Sequence, residues 1–294
     1  MEFQLFKFLI APTLLSLMLS LGLNLTFAQI IFLWSQTRLF VKSILSVVIL
    51  VPIIGILAAL LLPEDFALRL VILAMAAAPG APLTTKRVVM SGGNLSYGGS
   101  LQVTVSILAI VTVPFWAAIY DAIFPASVTI DVVAIAKSIA LVQLLPIGIG
   151  SLIQHHWSAF ANRVEPAITK VANILFVALI LMSLVNAFRL LLGVGILPFL
   201  LSAPVIAVWL ILGHVLGGPT LEQRATLAIG TIARNVGLAL LLLQVNVPPE
   251  EMQELLPLVI AFVLVGAVGG AIYAAVLKRS AALDSKIEER KDEI

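Results

Sequence analysis

The chain has 294 residues, 61% of them hydrophobic and only 11% charged, with a mean hydropathy of +1.16 and a formal net charge of +2. A soluble domain carries about 25% charged residues, so this composition excludes a water-soluble enzyme and points to an integral membrane protein. The absence of cysteine removes disulfides, thiolate nucleophiles and soft-metal sites, and cations scattered through loops give no basic face for nucleic acid.

Counting apolar runs between polar or Pro/Gly punctuation predicts nine membrane-spanning helices, at about 5–32, 40–62, 67–90, 95–119, 129–153, 167–191, 195–216, 222–246 and 254–277. Residues 1–33 lack a basic start and a small-residue cleavage site, so the first run reads as a mature helix and not as a signal peptide. An odd number of spans puts the two ends on opposite sides. Arg38, Lys42, Arg163, Lys170, Arg224, Lys278, Arg279, Lys286, Arg290 and Lys291 share one side, against Lys7, Arg69, Lys137 and Arg189 on the other. The positive-inside rule then places the C-terminus in the cytoplasm of a multi-pass protein of the cell (inner) membrane.

The spans group as four, one and four. The single middle span reverses direction, so the second group runs opposite to the first, which is the arithmetic of an inverted-topology repeat. The expected fold is an all-α membrane protein with one polytopic domain at 1–277, made of repeat one at about 1–120, a linking helix at about 129–153 and repeat two at about 165–277. A charged cytoplasmic tail, 278–294, continues the last helix.

Two spans are interrupted. In the third, "APGAPLTT" carries Pro79, Gly80 and Pro82; the prolines lack the amide hydrogen of the helical ladder and glycine tolerates backbone angles that other residues avoid. Thr84 and Thr85 follow, with hydroxyls suited either to satisfying freed backbone groups or to facing a ligand, and a helix starting there presents positive amide ends to the gap. In the eighth span, "GTIARNVG" carries Arg234, Asn235 and Gly237. An arginine so deep costs at least about 2.5 kcal/mol on insertion scales, so it needs a partner or an aqueous cavity. All 15 acidic residues fall in predicted loops, span ends or the tail, whereas Lys86, Arg87 and Arg234 lie in or beside the breaks. That imbalance nominates a small organic anion as the missing counter-charge. For Lys86 and Arg87, snorkelling to the interface is an equal alternative.

The next span carries a polar stripe, Gly99, Gln102 and Ser106 with Ser100 and Thr104 alongside. Such stripes are more often helix-packing surfaces than ligand contacts, so Gln102 alone is nominated. His155 and His156 beside Trp157 read as an interfacial anchor, and His214 also lacks a carboxylate-rich neighbourhood, so no metal and no cofactor is expected. The oligomeric state is not legible.

These residues resemble the bile acid:sodium symporters of the wider bile/arsenite/riboflavin transporter superfamily. "LMLSLGLNLTF" at Leu17 to Phe27 resembles the "GMGLTL" region of the family's second helix, which implies that the family's first helix is missing here. The first break resembles the family's "PGGTASN", with Pro79 and Gly80 kept and Thr84 and Thr85 where a Ser and an Asn contribute to a sodium site. The second resembles "ExxxQNxGLA", retained as Asn235, Gly237, Leu238 and Ala239; the family's Glu falls on Gly230 and its Gln on Arg234, and a further sodium-ligating Gln falls on Val47, before Pro52. The resemblance implies a panel of helices, a core domain with two crossing broken helices, and alternating access between them.

The expected function is secondary transport of a small or amphipathic organic anion, with the fixed charge of Arg234 replacing a coupling sodium ion. A sodium-coupled bile-acid-type symporter using backbone carbonyls and Thr84/Thr85 is the alternative. An intramembrane lipid enzyme lacks a nucleophile, an intramembrane carboxylate and clustered histidines; a channel or a non-transporting receptor would use the same pocket without cycling.

Overall fold

The computed structural model describes residues 2–63, 67–124, 133, 137, 140–248 and 252–292; the first residues of the predicted linking helix, 129–132, lie outside these. Among the described residues the regular structure is helical throughout, without a strand.

Helix α1 (Glu2–Asn24) ends at a corner where Thr26 and Gln29 cap each other across the start of α2 (Phe27–Ile30). A 3-10 turn, Phe32–Ser35, leads to α3 (Thr37–Ile44). A π-helical segment, Leu45–Leu50, then joins α3 to α4 (Val51–Leu60). The widening follows from Pro52, which has no N–H to offer Val48. The Val51 amide bonds Ser46 instead of Val47, so the carbonyls of Val47 and Val48 are both released from the ladder.

The third predicted span is two helices, α5 (Leu68–Ala77) and α6 (Thr84–Met90). Helix α7 (Leu95–Ile123) follows, its first turn capped by Asn94, whose Oδ1 accepts from the Tyr97 amide at 2.8 Å. A second π-helical segment, Ala140–Leu144, precedes α8 (Leu145–His156), again with a proline, Pro146, at the junction. The long α9 (Ser158–Val194) begins nine residues before the predicted span at 167 and takes in Glu165. Then come α10 (Leu197–Leu216), α11 (Leu221–Ile232) and α12 (Val236–Asn246), these last two being halves of the eighth predicted span. Helix α13 (Met252–Asp292) runs unbroken from the last predicted span into the charged tail.

The helices pack in two groups. In the first, α1 lies against both α8 and α9. Backbones meet at Gly22 and Gly150: a Cβ on Gly22 would stand 2.3 Å from the Ile147 carbonyl oxygen, and one on Gly150 2.6 Å from that of Leu19. A polar seam ties α1 to α9, with Ser20 bonded to Thr169, and Glu165 Oε1 accepting from Asn24 Nδ2 at 3.1 Å and Thr169 Oγ1 at 2.5 Å. In the second group, α5 is buried along its length between α4, α7, α12 and α13, while α10 packs on α11 and α13. Trp209 and Phe262 meet edge to face in this core.

Thr37–Leu60, Leu95–Ile123, Leu197–Leu216 and Glu254–Ser280 are long and apolar enough to cross a membrane. Large apolar side chains line the outside, among them Val111, Ile211 and Ile272 at 60–70% exposure. Many exposed large apolar side chains over a core with buried Arg, Gln and Asn are the arrangement that hydrocarbon, and not water, stabilises. The molecule is an all-α membrane protein.

Candidate functional site

The two breaks cross. Gly80 adopts φ +77, in the left-handed region, and Pro79 and Pro82 withhold their amides, so residues 78–83 leave the helical path. The opposite break is Ala233–Asn235. The two extended pieces run antiparallel and form a single bridge, Pro79 to Arg234. The Asn235 amide donates to the Ala78 carbonyl at 2.8 Å and the Ala81 amide to the Ala233 carbonyl at 3.3 Å. Each gap thus satisfies main-chain groups of the other.

Arg234 lies beneath this crossing, 4% exposed. Its Nε donates to the Met75 carbonyl at 2.9 Å, its Nη2 to the Ala76 carbonyl, and its Nη1 to the Val47 carbonyl at 3.3 Å. The Met75 and Ala76 carbonyls form the negative end of the α5 dipole; the Val47 carbonyl is one of the two that the π-helical segment releases. Trp116 Nε1 takes the other, Val48, at 2.7 Å. The Arg234 guanidinium also stands 5.7 Å from the Trp209 ring centroid, a weak cation–π contact. Among the described residues its hydrogen-bond partners are carbonyl oxygens, not a carboxylate.

Gln102 closes the other side. Its Oε1 accepts from the Thr85 amide at 2.9 Å and from Thr85 Oγ1 at 2.7 Å, while its Nε2 donates to the Pro82 carbonyl at 3.0 Å. Thr84 Oγ1 turns back onto the Ala81 carbonyl at 2.7 Å. Asn235 caps α12, its Oδ1 accepting from the Leu238 amide at 3.2 Å, and its Nδ2 approaches the Gly80 carbonyl at 3.5 Å. The facing ends of α5, α6 and α12 are therefore occupied by side chains of the chain itself, and that of α11 by main-chain partners.

Pro79, Gly80, Pro82, Thr84, Thr85, Gln102, Arg234 and Asn235 are brought together in this way. Gly237 is not part of the break: it lies in the first turn of α12 at an ordinary helical angle, because the crossing needs an extended stretch only up to Asn235. Lys86 and Arg87 point away from the crossing. Exposed Lys86 donates to Asn173 Oδ1 on α9, and Arg87 Nη2 donates to the Gly266 carbonyl at 3.2 Å against α13. Ser100 and Thr104 of the polar stripe secure the α2 corner, through Ser100 with Ile30 and Leu33 and through Trp34 Nε1 to Thr104 at 2.8 Å.

Val48, Trp116, Gln143 and Asn173 carried no nomination from the sequence, and Val47 entered only through the family resemblance. Pro52 was the available signal for Val47 and Val48. Gln143, 3% exposed in the second π-helical segment, accepts from Ser106 Oγ at 3.0 Å. Ser106 is also what a Cβ on Gly80 would meet, at 3.1 Å. An open groove of about 780 Å³ runs along the surface of α9, lined by residues of that helix: Glu165, Thr169, Lys170 and Asn173 and then the exposed Ile174, Val177 and Leu181.

Two interrupted helices exchanging main-chain bonds within a lipid-facing bundle define a membrane transporter architecture. The model of the sodium bile acid symporter family matches residues 11–194, more than half of the chain, and the chain belongs to that family. The family is one of transporters, not enzymes. The match takes in the first break, Gln102 and the α1–α8–α9 group, and ends before the second break. No curated protein matches the chain.

Proposed function

We propose that the protein is a secondary transporter that carries a small or amphipathic organic anion by alternating access, with the α1–α8–α9 group moving against the remaining helices. In this reading the chain crosses the inner membrane nine times in two inverted repeats, 4+1+4, with a cytoplasmic C-terminus.

One observation carries the coupling argument. The Arg234 guanidinium bonds the carbonyls of Val47, Met75 and Ala76, in the neighbourhood where the family resemblance places a coupling cation. A monovalent cation held by carbonyl oxygens and a guanidinium held by the same oxygens supply the same charge, but the guanidinium is covalently fixed. At the α6 end the neutral Gln102 amide adds no charge but occupies the Thr85 amide and hydroxyl and the Pro82 carbonyl. The transporter therefore works without a sodium gradient, as a uniporter, exchanger or proton-linked carrier. The anion's charge is met by Lys86, on the α9 side of α6, with Arg87 adding positive field from the α13 side.

Uptake into proteoliposomes tests this, using labelled monocarboxylates, an aromatic acid and a bile salt, each with and without an inward sodium gradient. Saturable uptake that is accelerated by internal unlabelled substrate and indifferent to sodium is the expected result. Strict sodium dependence, with full activity retained in Arg234→Ala, overturns it in favour of the sodium-coupled reading.

A further inference from the structure

Among the described residues, three polar contacts tie the first break and α7 to the α1–α8–α9 group and the π-helical segment before α8, beside the apolar packing of Leu83 and Val103 on Leu17, Met18, Ile147 and Ala172. Ser106 donates to Gln143 and Gln102 Nε2 lies 3.7 Å from Met18 Sδ, both buried; Lys86 donates to Asn173 and is exposed. Relative movement of the two groups has to part these contacts. The buried two join neutral groups. The third differs in chemistry, since it joins a fixed positive charge to a neutral amide oxygen.

An ammonium group has three donors and no acceptor, so it always seeks oxygen. The bond to the Asn173 amide is already assisted by the lysine's charge, and an anionic oxygen adds the Coulomb attraction of a second, opposite charge. Asn173 therefore holds Lys86 only until a better acceptor arrives. Its position along α9 is where one would reach it. The groove lining is polar at Glu165, Thr169 and Lys170 and apolar at Ile174, Val177 and Leu181, with Asn173 at the change. From residue 174 to 181 the helix rises about 10 Å, enough for an eight- to ten-carbon chain whose charged end then lies at Asn173.

We propose that Asn173 is a placeholder for the carried anion: its amide oxygen holds Lys86 in the empty transporter, and the anionic group of the solute takes the lysine in its place. The exchange unties α9 from the first broken helix at the moment of loading. A ligand shifts a conformational equilibrium only through differential affinity for the two states, and here the difference is the bond from Lys86, made to protein in one state and to solute in the other. The proposal rests on the anion-carrier reading above and adds the residue that couples binding to movement.

The cysteine-free chain allows a clean double-label experiment. Spin labels at Met90→Cys on α6 and Phe160→Cys on α9, both exposed positions, report the α6–α9 separation by pulsed dipolar spectroscopy. The probe is decanoate, with decanol as the uncharged control. Decanoate, not decanol, is expected to raise the population at the longer distance. Asn173→Ala raises it without any probe and Asn173→Asp lowers it, each by about two- to fivefold, the range of an exposed charge pair. In a Lys86→Gln background the two Asn173 variants give the same distribution. Transport without this Lys86-dependent order overturns the proposal and leaves the carrier reading intact. If the order is present but no anion of the panel is transported, the carrier reading falls and takes the anion's share in the exchange with it.

Discussion

The Nη2 of Arg234, in the second broken helix, donates to the main-chain carbonyl of Ala76, the penultimate residue of α5 in the first. The bond joins residues 158 positions apart in sequence and closes the open carbonyl end of one half-helix with the cation of the other. A buried charge is tolerable only when its hydrogen bonds are made. Here three carbonyls make them, two from the α5 terminus and one from the widened turn at Val47.

Arg234→Leu leaves the Val47 and Ala76 carbonyls without this donor in the buried core, while Met75 keeps the Ala78 amide at 3.3 Å. The expected loss is about 2 kcal/mol or more, from the cost of about 1–3 kcal/mol for each of the two orphaned buried groups. Arg234→Lys keeps the charge but not the planar fork, and is expected to recover only part of that loss. Thermal unfolding in detergent, with the two variants compared side by side, measures the difference. Equal stability of wild type and Arg234→Leu would show the guanidinium to be dispensable for the crossing.

Gln102→Leu removes the acceptor of the Thr85 amide and the donor to the Pro82 carbonyl together. The Thr85 amide is expected to lose protection against hydrogen exchange by roughly tenfold or more, the equivalent of about 1.4 kcal/mol of local opening. Amides in the middle of α7 serve as the internal reference. Protection at Thr85 that survives the substitution would mean that another acceptor closes the α6 terminus.

Gly22→Ala and Gly148→Ala are the same chemical change in opposite surroundings. A Cβ at Gly22 would stand 2.3 Å from the Ile147 carbonyl oxygen, whereas at Gly148 nothing lies within 4 Å. Overpacking of this kind costs about 1–3 kcal/mol, so Gly22→Ala is expected to lower the melting temperature and loosen α1 from α8. Gly148→Ala is expected to be neutral or slightly stabilising. Matching melting temperatures for the two variants would contradict the close α1–α8 approach.

Trp116 and Pro52 are coupled through one carbonyl. Because Pro52 has no amide hydrogen, Val48 depends on Trp116 Nε1 for its partner at 2.7 Å. Trp116→Phe is expected to destabilise by about 1–3 kcal/mol, mainly by orphaning that oxygen. In a Pro52→Ala background the helix supplies its own donor, so the same substitution costs less. A double-mutant cycle by chemical denaturation reads the difference, expected to be at least about 1 kcal/mol; strict additivity would break the link between the proline and the tryptophan.

The sequence by itself determined the solvent and the punctuation. Apolar runs of membrane length, two of them interrupted at Pro79–Pro82 and at Arg234, are local properties of composition and spacing, and local rules suffice to read them. The deep arginine likewise demanded a partner on energetic grounds alone. Which partner it found was decided only by tertiary structure. Arg234 could be met by a ligand, by water or by backbone, and the choice depended on α5 ending directly beneath it and on Pro52 freeing the Val47 carbonyl across the bundle. Neither fact is visible in the window around residue 234. Lys86 and Arg87 show the same limit: they are adjacent in sequence and alike in charge, but one helical step of about 100° separates them, sending one to Asn173 and the other to Gly266. Glycine at 237 read as part of the break by composition, although the crossing of two extended segments needed no left-handed residue there. Helices are specified by nearest neighbours, whereas hydrogen bonds to freed carbonyls are specified by whatever the fold brings within 3 Å.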